Sequence, residues 1–290
     1  MCEYPRKIVA ATTCEVVVKS GADFAARLRL WRKRRGWSQL ELAGRAGVSQ
    51  RHVSFLEVGR TFPSRDMVAR LATTLDLPLR QQNELLVAAG FAPVWHETDL
   101  AAPQLARMRD ALDYMMAQQE PFPAVVVDRR WNLLKANQGA VRLVEFLVGP
   151  LPADAEVNLA DALVGPDVFR PFLLNWAEVV RYFVRNIEAD AAADGTAETA
   201  ALLERLLSYE GVRSLLKAPA ALHPADDQVL PMVFRKGDIS LALFTTITTL
   251  GTPQNVTLEE LRIESFFPMH DDTAAIFSRV GPQDTPMIAA

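Results

Sequence analysis

Gln50, Arg51, Ser54 and Phe55 stand close together in a short helical pattern, off the period marked by Val53 and Leu56. Glutamine offers an amide donor beside an acceptor, and arginine a planar fork of donors. On a helix laid in the major groove of DNA, Gln pairs with adenine and Arg with guanine through two hydrogen bonds each. Ser54 adds a small hydroxyl. Phe55 has no such chemistry; it suits a thymine methyl or packs sideways.

Such a helix needs positioning, and the flanking sequence supplies it. Asp23 is read as the cap of a first helix through Phe24, Leu28 and Trp31 that ends in "RKRRG". Cations in that last turn suit the negative end of the dipole, and Gly36 suits the left-handed position after it. Ser38 and Glu41 make a capping box for a second helix with Leu42 and Ala46 inward. Ala43 lets another helix approach closely, Gly47 permits a tight turn and Val48 plugs the corner below it. Ser49 caps the third helix. Further helices run from Ser64 through Met67, Leu71 and Leu75, and from Pro78 to Ala89.

Two short helices joined by a Gly-containing turn make a helix-turn-helix. Residues 24–90, with "SQLELAGRAGVSQRHVSFLEVGRTFPS", resemble the five-helix, lambda-repressor-like DNA-binding domain of the XRE/Cro/C1 family. The resemblance places Gln50, Arg51, Ser54 and Phe55 at base-reading positions. It gives Gln39 a phosphate contact and makes Arg60, Thr61 and Arg65 a backbone clamp; Ser49 and His52 join the phosphate set. Such contacts position without specifying. Arg32 and Glu57 match a structural ion pair between helices.

The net charge of −4 over 290 residues hides an asymmetry. Residues 1–95 hold 15 Lys+Arg and 8 Asp+Glu, a balance of +7. The rest holds the other 16 of 31 Lys+Arg and 27 of 35 Asp+Glu, a balance of −11. A basic part and an acidic part imply separate jobs. Cys2 and Cys14 are too few for a disulfide framework or a cysteine zinc site. No apolar run reaches the roughly 18 residues that span a bilayer, and no signal peptide is read. The expectation is a cytoplasmic protein without membrane insertion.

The division expected is a tail over 1–22, the DNA-binding domain over 23–92, a proline-bearing linker over 93–102 and an α+β domain over 103–290. In the last, a helix over 103–119 precedes strands over 123–127 and 131–135. Asn137 caps a helix, and further helices are read over 159–164, 167–174, 176–192, 196–209 and 211–217. A hairpin turning at Lys236-Gly237-Asp238 follows, then a strand over 257–268 and a helix over 271–278.

Two strands, a helical insert and three strands give the order of a PAS-like sensor. "PAVVVDRRWNLLKAN", "LLNWAEVVRYFV" and "LALFTTITTLGTPQNVTLEELRIESFFP" resemble the MmyB-like ligand-binding domain. That resemblance implies an interior pocket for a fatty acid or similar lipid, no required cofactor, and a homodimer. Trp131, Phe146, Phe172, Trp176, Val180 and Phe183 are expected to line the pocket, with Arg181 and Arg185 to meet a carboxylate. No phosphate loop, dinucleotide fingerprint or nucleophile elbow is present, and "PMHDD" lacks the further histidines of a metal site. The expected function is a ligand-sensing transcriptional regulator on a two-fold DNA operator. The alternatives are a DNA-anchored enzyme acting on an acyl substrate, and a repressor whose C-terminal domain only dimerises.

Overall fold

The computed structural model describes residues 13–152, 155–219 and 229–279. The chain divides into two compact units, with the break between His96 and Glu97.

The N-terminal unit is all helical: α1 (Thr13–Arg34), α2 (Gln39–Ala46), α3 (Gln50–Glu57), α4 (Arg65–Thr74) and α5 (Leu79–Ala88). The expected start of the first helix is corrected. The chain is already helical at Thr13, so Asp23 lies inside α1 and meets Arg27 one turn on, at 3.2 Å, instead of capping. Ahead of it Val16, Val17, Val18 and Gly21 lower the helix propensity, by about 1 kcal/mol or less each, but none breaks a helix as proline would. Residues 1–12 of the expected tail lie outside the described residues.

The other helix ends follow their sequence signals. Ser38, Ser49 and Ser64 each accept an amide hydrogen bond from the third residue on, and Ser38 and Glu41 form the reciprocal capping box. Gly36 and Gly47 take the left-handed conformation, at φ +70° and +65°. The core joins Phe24, Leu28 and Trp31 of α1 to Leu42, Leu56, Leu71 and Leu85, all buried. Asn83 of α5 then holds the chain beyond it, accepting from the amides of Val94 and Trp95 and donating to the Trp95 carbonyl at 2.7 Å. The first part of the expected linker is therefore docked.

The C-terminal unit is built on one antiparallel sheet. Its strands are β1 (Ala124–Val127), β2 (Leu133–Ala136), β3 (Met232–Lys236), β4 (Ile239–Thr248) and β5 (Arg262–Pro268), in the order β2-β1-β5-β4-β3. The last strand thus enters the middle of the sheet, the PAS-like arrangement. α6 (Ala106–Gln118) covers one face with Leu112 and Met116 against Val126 and Ile263. Between β2 and β3 lie α7 (Gln138–Val148), α8 (Leu159–Val164), α9 (Trp176–Asp194), α10 (Ala197–Ser208) and α11 (Val212–Lys217). This insert packs on the opposite face, where Val125, Val127, Leu243 and Phe266 meet Leu143, Val180 and Phe183. After β4 come α12 (Val256–Glu259), β5 and α13 (Asp271–Arg279).

Three sequence expectations change here. Trp131 does not open a strand: Asp128 Oδ1 accepts from the amides of Arg130 and Asn132, and the tight turn leaves Trp131 at φ +64°. Residues 167–174 form turns rather than a helix, because Pro166 and Pro171 lack the donors a helix needs. This stretch instead runs beside β3, through Leu174 N to Val233 O and Arg235 N to Phe172 O, both 2.8 Å. Finally, Asn255 caps α12 where the strand over 257–268 was expected to begin, so β5 starts at Arg262.

Candidate functional site

In the N-terminal unit, α3 is set on α2 by the turn at Gly47 and held from below by a buried charge. Glu57, 2 % exposed, accepts from Arg32 Nε at 2.6 Å, Arg32 Nη2 at 3.0 Å and Gln39 Nε2 at 2.8 Å. Arg29 donates to the Glu57 carbonyl at 2.5 Å. Burial pushes the Glu57 carboxyl up, but the bonds from Arg32 and Gln39 and the charges of Arg32 and Arg29 outweigh it and hold it below the ordinary value. Three side chains thus fix the end of α3 to α1 and α2. Gln39 has one amide hydrogen committed to this anchor rather than turned to an outside partner.

The outer face of α3 presents Gln50 and Arg51 exposed, with His52, Ser54 and Phe55 half-buried. Phe55 packs sideways. Its ring centroid lies 5.1 Å from Arg51 Cζ and 5.7 Å from Arg60 Cζ, so it forms a platform for both guanidinium groups. The residue types alone do not reveal this role; the signal is an aromatic residue four positions after one arginine and five before another. Arg60 and Arg65 are exposed, while Ser49 spends an acceptor lone pair on the His52 amide. Thr61 departs from the clamp expected of it: its hydroxyl oxygen is buried and meets no partner, so it does not face outward.

In the C-terminal unit the expected pocket residues split. Trp131, Val180 and Phe183 are 1 %, 0 % and 6 % exposed and lie in closed core, with Trp131 and Phe183 in edge-to-face contact at 4.4 Å. Phe146, Phe172 and Trp176 are partly buried against it, Trp176 under Arg170 at 3.8 Å. Arg181 donates to the Ala218 carbonyl at 2.9 Å near the surface, and Arg185 is exposed.

A cavity of this unit lies elsewhere. It has a volume of about 330 Å³ and is bounded by Val125 and Ala136 of the sheet, Ala140 and Val144 of α7, Leu159 of α8 and Phe169. None of the eight expected residues lines it. The reason is steric. Large aromatics fill the space they point into, and the room is left where Ala136, Ala140, Ala155 and Ala162 stand. Its one charged lining residue, Glu145, is exposed.

α7 is fixed at its start. Asn137 Oδ1 accepts from Ala124 N at 2.8 Å and Ala140 N at 2.9 Å, and Nδ2 donates to Phe122 O at 2.8 Å. At Gly139 a Cβ would come within 2.6 Å of the Phe122 carbonyl group, so only glycine permits this approach.

The same sheet face carries a buried acid. Glu264 stands across from Val125 on β1 and is 5 % exposed, and its Oε2 has no partner. Desolvation pushes its carboxyl up to about 7, against the opposing pull of the Thr245 hydrogen bond and the Arg262 charge. Among the described residues no group of three His, Cys, Asp or Glu side chains is placed to hold a metal ion. No described helix is long and apolar enough to cross a membrane.

Residues 23–85 match the family described as a helix-turn-helix domain. Residues 108–279 match the MmyB-like transcription regulator ligand binding domain. No curated protein matches the chain. A solved structure titled "Structure of an RNA-binding Light-Oxygen-Voltage Receptor" aligns at 10 % identity and a TM-score of 0.27, over 94 % of this chain and 70 % of its own.

Proposed function

Because the chain belongs to the MmyB-like transcription regulator family, with a helix-turn-helix ahead of the family's ligand-binding domain, we propose that it is a sequence-specific regulator of the XRE kind whose C-terminal domain senses a small amphiphile, a fatty acid first among them. The observation that carries the sensing half is the cavity beside α7. Its volume of about 330 Å³ falls at the lower end of small-molecule sites, and its lining is nearly all apolar.

A chain seated there gains about 0.8 kcal/mol per buried CH₂ before association costs. Its carboxylate does not enter the cavity, because Glu145 is the one charged residue in the lining and repels it. The head group therefore stays toward solvent. Arg181 and Arg185 remain candidates to meet it only from the surface. On the DNA side, Gln50, Arg51 and Ser54 read base edges, while Arg60, Arg65, Ser49 and His52 hold phosphates. The C-terminal domain pairs two copies, which places two recognition helices on a two-fold operator. Ligand then favours one arrangement of the dimer and changes affinity for DNA by population shift.

The test is calorimetry with fatty acids of increasing length on delipidated protein, beside Val144→Phe, which fills the cavity. Affinity rising with chain length and lost in Val144→Phe is the expected result. Equal binding by both proteins moves the ligand elsewhere, and no binding at any length removes the fatty-acid reading. Turnover of an acyl substrate instead favours a DNA-anchored enzyme.

A further inference from the structure

Among the described residues of the C-terminal unit, Glu264 is the one buried acid. It stands on β5, in the middle of the sheet, between Val125 of β1 and Ile247 of β4. Thr245 of β4 donates a hydrogen bond to it, while Oε2 is buried without a partner. The charge acting on it is that of Arg262, two residues back along β5 and so on the same face of the strand.

Arg262 is committed elsewhere. Its Nη1 donates to Asp190 Oδ2 of α9 at 2.6 Å, and its guanidinium carbon lies 5.5 Å from the ring centre of Trp131. Arg129, in the turn after β1, is held among Asp194 at 3.4 Å, Glu260 at 3.5 Å and Glu198 at 3.9 Å. A buried carboxylate without a paired cation is costly, and burial pushes this carboxyl up to about 7. Below that value Glu264 holds its proton and Arg262 is left to serve Asp190.

We propose that Arg262 is a two-position latch: it pairs with Asp190 while Glu264 carries a proton, and swings to Glu264 when that proton leaves, which frees the C-terminal half of α9 from β5. The proton goes to solvent, and the Glu264 carboxylate accepts the N–H bond that Asp190 gives up. Residues two apart on a strand are separated by roughly 7 Å, a span an arginine side chain covers. The exchange favours Glu264 because the two acids differ in access to water. Asp190 has a side chain 27 % exposed and is solvated once released; Glu264 is buried and has no such recourse. Asp194 stays tied to Arg129, so α9 loosens without detaching. Neither α9 nor β5 lines the cavity beside α7, so the latch answers to pH whether or not that space is filled.

Hydrogen exchange of the full-length protein, corrected for the intrinsic effect of pH, is compared at about pH 5.5 and about pH 8.5, on either side of the Glu264 transition. Protection of the α9 amides over 187–194 should fall by roughly fivefold, the worth of one part-exposed ion pair, beyond any fall shared with β1. Glu264→Gln leaves every other titratable group in place and should keep the low-pH protection at both values. Asp190→Asn should show the reduced protection at both. Should Glu264→Gln fail to fold, the Arg262 Nε–H resonance of the unaltered protein decides the matter, since it should shift with the α9 amides between the two pH values. A fall over α9 no larger than that over β1, a fall retained in Glu264→Gln, or an Arg262 resonance that does not move overturns the latch.

Discussion

Arg51 lies with its guanidinium carbon 5.1 Å from the ring centre of Phe55, one helical turn along the exposed side of α3. The ring narrows the volume that Arg51 explores, so less entropy is lost when it meets a base. Arg51→Ala and Gln50→Ala should each lose about 1–3 kcal/mol of specific binding and relax discrimination at one base pair. Phe55→Ala should weaken specific binding with Arg51 present and do little more once Arg51 is gone. Footprinting of the double variant at fixed salt checks this; fully additive losses would show that Phe55 acts through Arg60 or on DNA itself rather than through Arg51.

Arg60 and Arg65 are exposed after α3 and at the start of α4. Their contacts should be to phosphate and so blind to sequence. Arg60→Ala or Arg65→Ala should weaken all DNA about equally and flatten the slope of log affinity against log salt by about one unit each. Thr61→Val should change neither, because the Thr61 hydroxyl is buried. Titrations at several salt concentrations on specific and unrelated duplexes separate these outcomes.

The N-terminal unit was legible because its signals are local. Ser38 with Glu41, Gly47 and Ser49 each act within a few residues, and each does in the fold what its spacing implies. The start of α1 was not, since Asp23 is as good a cap by type as any serine and only the helix already running at Thr13 displaces it. In the sheet domain the succession of strands and helices along the chain is readable, but an Asp128 turn overrides the β propensity of Trp131. The cavity had no sequence signature. Ala136, Ala140, Leu159 and Phe169 come from separate segments and meet only in three dimensions. Large aromatics such as Trp131 and Phe183 mark the filled part of the core, while the small residues that border the space beside it carry no comparable pattern.

Arg32 and Glu57 form an interhelical pair in which the acid side chain is wholly buried. Removing Arg32 leaves the buried carboxylate with only Gln39 and the more distant Arg29, so Arg32→Met should cost up to about 3–5 kcal/mol. Arg32→Met with Glu57→Met should recover much of that loss. The pair also sets an acid limit. Glu57 titrates below its ordinary value in the folded state, so its contribution is present above the ordinary carboxylate pKa and lost as pH falls through the folded one. Hydrogen exchange of α1–α3 amides in the full-length variants, followed from pH 7 down, measures both effects.

Glu264 predicts the opposite trend in the C-terminal unit. Its carboxyl is raised from the ordinary 4.5 to about 7, so between those values the folded state holds a proton that the unfolded chain has released. Stability is therefore highest below about 4.5 on this account, and declines as pH rises to about 7 and just beyond. The groups acting on it are Thr245 of β4, which donates a hydrogen bond, and Arg262 on its own strand, itself paired to Asp190 of α9 at 2.6 Å. A shift of this size corresponds to about 3 kcal/mol at most. Glu264→Gln keeps the shape and removes the charge. It should raise the stability of this domain near pH 8 by up to about 3 kcal/mol and leave it almost unchanged near pH 4. Urea midpoints of the full-length protein at both pH values, read by hydrogen exchange of β1, β4 and β5, make the comparison. A pH dependence identical in the variant would place the titration on another group and leave Glu264 ionised in the fold.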